Sequence, residues 1–123
     1  MNRFRGSILT AMLMLGGIPS AEAHTSLIGS NPKVGAVLAV SPKYIELVYD
    51  EELTVFKGKK VNTLSLLKLP QTKIQISDPL AEGNKLRVNL RSALKSGRYM
   101  VEYRVVSADG HIVKGSFKFQ VKL

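Results

Sequence analysis

Two alternating runs near the carboxyl end leave this chain little choice of fold. In the first, Tyr99, Val101, Tyr103 and Val105 fall on one side while Glu102 and Arg104 fall on the other. In the second, Val113, Phe117, Phe119 and Val121 alternate with Lys114, Ser116, Lys118, Gln120 and Lys122. A repeat of two belongs to a strand with one buried and one wetted face, not to a helix. Between the runs stands Asp109-Gly110-His111, whose Asp-Gly pair is a turn signal between antiparallel strands.

The same period recurs upstream. Ile45, Leu47 and Tyr49 oppose Glu46 within Tyr44–Tyr49, Lys85–Leu90 alternates, Leu64, Leu66 and Leu69 fall within another apolar segment, and Ile74 with Ile76 marks a short strand. Turn signals separate these segments: Asn31-Pro32, Ser41-Pro42, Lys57-Gly58, Asp78-Pro79, Glu82-Gly83-Asn84 and Ser96-Gly97. Their spacing predicts an all-β domain, a single Greek-key β-sandwich or barrel of the immunoglobulin-like kind with about seven strands. Ala93-Leu94-Lys95 is expected to close at most one helical turn.

The amino end reads differently. Arg3 and Arg5 precede an apolar stretch from Ile8 to Ile18, and Ala21-Glu22-Ala23 fits the small-x-small rule for signal cleavage. The stretch is shorter than the roughly 20 apolar residues that span a bilayer as a helix. Residues 1–23 are therefore expected to be a cleaved signal peptide, and residues 24–123 an exported β domain. The chain has no Cys, which excludes disulfides, thiolate metal sites and cysteine nucleophiles. Its formal net charge is +9, but the lysines are scattered apart from Lys57-Gly58-Lys59-Lys60, and no aromatic platform stands beside that cluster. The charge reads as a solvated face suited to anionic membrane surfaces or acidic partners, and no nucleic-acid partner is expected.

Cleavage after Ala23 would make His24 the first residue, and that changes its chemistry. A free α-amine and the imidazole Nδ1 of one residue can chelate a single cation. The chain has 2 histidines, so His111 is the only imidazole that can join His24, and Asp109 offers a carboxylate from the same turn. Three nitrogens and an oxygen in a tetragonal arrangement suit Cu(II). Zinc accepts the same donors but prefers a tetrahedron, so ligand type alone leaves the metal open.

Three stretches carry a family resemblance. They are His24-Thr25-Ser26-Leu27-Ile28-Gly29-Ser30-Asn31-Pro32-Lys33-Val34-Gly35, then Ile45-Glu46-Leu47-Val48-Tyr49-Asp50-Glu51-Glu52-Leu53. The third, and most specific, is Val105-Val106-Ser107-Ala108-Asp109-Gly110-His111-Ile112-Val113-Lys114-Gly115. They resemble the CopC family of periplasmic bacterial copper-resistance proteins, in the same order and over nearly all of residues 24–123. The resemblance implies a Cu(II) site built from the His24 amine and imidazole, His111 and Asp109. It further implies Glu51 as an outer group that orients the amine or an imidazole by accepting a hydrogen bond.

One departure bears on mechanism. Some members of that family carry a methionine-rich Cu(I) site, because thioethers select the softer ion. Of the 4 methionines here, Met1, Met12 and Met14 lie in the signal segment. Only Met100 would remain, and Thr54–Leu69 holds none. A single Cu(II) site is the expectation. The function implied is binding, buffering or transfer of copper outside the cytoplasm by a monomer, without enzymatic turnover and with an inner-membrane copper transporter as partner. The rival readings are a copper-dependent oxidative enzyme, which the 7% aromatic content serves poorly as a substrate platform, and a metal-free interaction module.

Overall fold

The computed structural model describes residues 26–123. The predicted signal segment and His24 lie outside the described residues. Nine strands follow in chain order: β1 (Leu27–Asn31), β2 (Val37–Leu38), β3 (Tyr44–Tyr49), β4 (Thr63–Lys68), β5 (Thr72–Ile74), β6 (Leu80–Glu82), β7 (Lys85–Asn89), β8 (Gly97–Val106) and β9 (Ile112–Val121). They form a four-stranded sheet in the order β1-β3-β7-β6 and a five-stranded sheet in the order β2-β9-β8-β4-β5. All pairings are antiparallel except β2 with β9.

The alternation read from the sequence decides what is buried. Ile45, Leu47 and Tyr49 of β3 and Leu86 and Val88 of β7 meet Leu64, Leu66, Tyr99, Val101, Val105, Phe117, Phe119 and Val121 in one core between the sheets. Burying each such side chain stabilises the fold by roughly 1.5–3 kcal/mol before entropy is counted. Two aromatic contacts organise this core. Tyr99 stacks on its cross-strand partner Phe119 with centroids 5.4 Å apart, and Tyr49 meets Tyr103 edge to face at 5.8 Å, joining the two sheets. Gly115 lies opposite Tyr103 in the β8–β9 ladder. A Cβ there would strike the Tyr103 hydroxyl, so the phenol occupies the space a side chain would need.

The all-β sandwich expectation holds, with two differences. Nine strands stand where about seven were expected, because β2, β5 and β6 are pieces of 2, 3 and 3 residues at sheet edges. Ile76 lies beyond β5 and pairs singly with Leu90, which in turn lies just past the end of β7. The stretch Ala93–Lys95 contains no helical turn. Leu94 is buried, its N–H donates to Ser41 Oγ at 2.7 Å, and the Lys95 carbonyl accepts from the Tyr99 hydroxyl at 2.6 Å. Those two bonds supply locally what a helical turn would have supplied.

Candidate metal centre

The β8–β9 connection is a five-residue turn, Ser107–His111, closed on itself. The Ser107 N–H donates to the His111 carbonyl at 2.9 Å and the Gly110 N–H to the Ser107 carbonyl at 2.9 Å. Gly110 has φ +89°, a left-handed value that side-chain-bearing residues avoid, which explains the glycine between the two predicted ligands. Inside this turn the Asp109 carboxylate accepts three hydrogen bonds. Oδ1 accepts from the Ser107 hydroxyl and, at 3.1 Å, from the His111 N–H, while Oδ2 lies 2.7 Å from His111 Nδ1.

That last contact fixes the histidine. A carboxylate can only accept, so Nδ1 carries the proton and, in the neutral ring, the lone pair sits on Nε2. The arrangement matches the carboxylate–histidine pairing that orients imidazole ligands in metal sites. The Ser107 hydroxyl above all, then the His111 ring and its N–H, lowers the Asp109 carboxyl from its ordinary value to about 2. Asp109 therefore keeps its charge throughout the physiological range, whatever happens to the imidazole. Both side chains are exposed, so the pair is presented to solvent and not consumed in packing.

A second segment is tied to this turn. The stretch Asp50–Thr54, which carries Glu51, runs between two sets of backbone bonds. On one side the Ala108 N–H donates to the Glu52 carbonyl at 2.9 Å, the Thr54 N–H to the Val106 carbonyl at 2.8 Å, and the Thr54 hydroxyl to the Ser107 carbonyl at 2.7 Å. On the other, Leu53 N–H reaches the Gly83 carbonyl at 2.8 Å, and the Asn84 side-chain amide holds the Tyr49 carbonyl at 2.8 Å. Glu51 is thus half-buried on a strap between the 83–84 and 107–108 turns.

The strap also holds the start of the described chain. The Ser26 N–H donates to Asp50 Oδ1 at 2.6 Å, and the Asp50 N–H donates to the Ser26 carbonyl at 3.0 Å. Asp109 and His111 are therefore brought together, and Glu51 stands on the neighbouring strap. Among the described residues no three His, Asp or Glu side chains gather closely enough to hold a metal ion. The described part presents one oriented imidazole and one ionised carboxylate side by side.

Sequence reasoning passed over two supports. The Ser107 hydroxyl, inside a motif that drew attention only for its acid and imidazole, is what most strongly anchors Asp109. Asn62, 8% exposed, donates to the Thr54 carbonyl at 2.8 Å and accepts from the Val106 N–H at 2.9 Å, tying the strap to the end of β8. An asparagine just ahead of an apolar run carries no local signal that it will be buried.

Comparison with known proteins accords with this geometry. The family model described as the CopC domain matches residues 27–122. Copper resistance protein C of Escherichia coli is 33% identical over 121 residues, covering 94% of this chain and 95% of that protein. Among solved structures, CopC from Methylosinus trichosporium OB3b superposes with a TM-score of 0.71 at 25% identity, over 80% of this chain and 94% of that one. PcoC, a methionine-rich copper resistance protein from Escherichia coli, superposes with a TM-score of 0.69 at 29% identity, over 81% of this chain and all of that one. The match spans both sheets, the strap and the Ser107–His111 turn, and the chain belongs to the CopC family.

Proposed function

We propose that this protein binds one Cu(II) ion outside the cytoplasm, with His24 as its first residue after signal cleavage, and buffers or hands over that ion. Three nitrogens come from the His24 α-amine, the His24 imidazole and Nε2 of His111. The observation that carries the reading is the His111 ring turned by Asp109 on a turn whose neighbouring strap grips Ser26. One residue, Thr25, separates Ser26 from His24, and two steps along the chain reach at most about 7 Å. That reach supports the His24 amine as a ligand beside the strap.

Asp109 has two roles open to it chemically. In the described arrangement its Oδ2 serves His111 Nδ1, which makes it the group that positions the imidazole. Acting as the oxygen ligand requires that Oδ2 leave Nδ1 for the metal. Glu51, on the strap beside the Ser26 anchor, is suited to accept a hydrogen bond from the amine and hold it toward the ion. Copper enters as cargo, and an inner-membrane copper transporter is the receiver this reading implies. The periplasm is the compartment in which a signal-cleaved chain of this kind works.

Binding needs deprotonated nitrogens. An α-amine has a reference pKa of about 7.7–8.0 and an imidazole about 6.5, so protons displace copper as the pH falls from about 8 to 5. The Asp109 carboxyl, held to about 2, does not contribute to that loss. Electron paramagnetic resonance of the His24-starting protein with one equivalent of Cu(II) tests the donor set. Hyperfine structure from three nitrogens is expected; a spectrum with a single nitrogen donor overturns the proposal.

A further inference from the structure

The lysine cluster left over from the sequence lies on a loop whose construction the copper site does not explain. Between Thr54 and Asn62 the chain makes a tight excursion. Phe56 bridges Lys59, with the Lys59 N–H donating to the Phe56 carbonyl at 3.1 Å, and Gly58 has φ +78°. A glycine with that φ at the third of four residues is what a type II turn requires. The neck of the loop is closed by the bond from Asn62 to the Thr54 carbonyl, and the Asn62 side chain also holds Val106, one residue before the metal turn. The loop is thus anchored at the same end of the sandwich as Asp109 and His111.

What it presents is unusual for a solvated turn. Val55 is 63% exposed and Phe56 56%, adjacent residues leading into the turn, with Lys57, Lys59 and Lys60 following them. Lys60 pairs with Asp78 at 2.9 Å, whereas Lys57 and Lys59 have no acidic partner among the described residues. Ile112, directly after His111 and 54% exposed, adds an apolar side chain to the same end. A solvated face needs the lysines but not the exposed aromatic. Both together are the chemistry of a segment that lies in a lipid–water interface, with rings and aliphatic groups at the acyl boundary and lysines among anionic headgroups.

We infer that the Val55–Lys60 loop is a docking element for an anionic phospholipid surface, inserting Val55 and Phe56 while Lys57 and Lys59 engage the headgroup charge. The placement beside Ser107–His111 would bring the metal end of the sandwich to the bilayer. The inference does not depend on copper, so its failure and that of the copper proposal can be told apart.

Every described strand lies within Leu27–Val121, so the chain beginning at His24 is the form to test, free of the apolar leader. Binding is read by co-sedimentation with vesicles of phosphatidylglycerol and phosphatidylcholine in equal parts, and with phosphatidylcholine alone. Partitioning should be at least ~10-fold stronger to the anionic vesicles and fall steeply with salt. Val55→Ser with Phe56→Ser, and separately Lys57→Glu with Lys59→Glu, should each reduce it by about 10-fold while circular dichroism and copper titration stay as in the parent. Phe56→Trp should shift its fluorescence to the blue and be quenched by lipids brominated in the acyl chain. Equal binding to both vesicle types, parent-level binding by the double-serine variant, or an unquenched Trp overturns the inference. So does capture of the parent protein by soluble polyglutamate in preference to anionic vesicles, which would make the loop a site for acidic proteins.

Discussion

Two loops leave the same end of this sandwich, and they are built in opposite ways. In Ser107–His111 the Ser107, Asp109 and His111 groups bond one another within the turn, and the outcome is one imidazole with a fixed tautomer beside a carboxylate that stays ionised. In Val55–Lys60 the internal bonding is confined to a single turn, closed at the neck by Asn62, and the side chains are exposed. The first loop spends its residues on orientation and the second on surface. In the two proposals, chemistry that needs a defined lone pair falls to the knit loop, and contact that needs only area and charge to the bare one. Asn62, which touches both necks, is where the two are coupled.

Substitutions in the two loops should therefore separate cleanly, and the largest effect belongs to the knit loop. His111→Ala removes a nitrogen donor and should weaken Cu(II) binding by at least ~10²-fold in a competitive titration, with the thermal midpoint nearly unchanged because the ring is exposed. Asp109→Ala should cost about 10- to 100-fold in affinity by releasing the His111 ring, and Asp109→Asn less, since an amide oxygen can still accept from Nδ1. Asn62→Ala breaks the coupling. It leaves the Val106 N–H and Thr54 carbonyl without their partner and should lower unfolding stability by roughly 2 kcal/mol in urea titration. The smallest effect on stability is expected on the bare loop, where Val55→Ser and Phe56→Ser should stay within about 0.5 kcal/mol of the parent. A large loss there would show that the loop packs in solution, and the contrast would fail.

Acid sharpens the same comparison. Because the folded Asp109 carboxyl lies below its unfolded value, its contribution to stability is present above pH about 4 and is lost as pH falls toward about 2. Copper release between about pH 8 and 5 should consequently precede any acid unfolding due to Asp109, and circular dichroism followed with copper occupancy would show the two steps apart.

The sequence disclosed the fold where one sheet face is buried and the other wetted. β3, β7, β8 and β9 announce themselves by period two because their inward residues are the core. β1, β2 and β6 did not, since each sets only one partly buried hydrophobic residue (Leu27, Leu38 or Ala81) against the core while Ile28, Val37 and Leu80 are all more than 60% exposed. The turn that brings Asp109 and His111 together was legible because Asp-Gly-His concentrates a turn signal and two polar side chains in three residues. Its supports were not, because Ser107, Asn62 and Asn84 act through partners distant in sequence or through backbone atoms that no side-chain pattern reveals. The bare loop was half legible: its lysines stood out, while the exposure of Val55 and Phe56 emerged only once the neck was seen to close.

The central claim is that the amino group of His24 is itself a copper ligand. Two forms of the protein decide it, one starting at His24 and one carrying a single glycine ahead of it, each titrated with Cu(II) against a competing chelator. The account predicts at least a ~10²-fold weaker affinity for the extended form, with identical circular dichroism, because only the α-amine has been moved. Equal affinity in the two forms would contradict it.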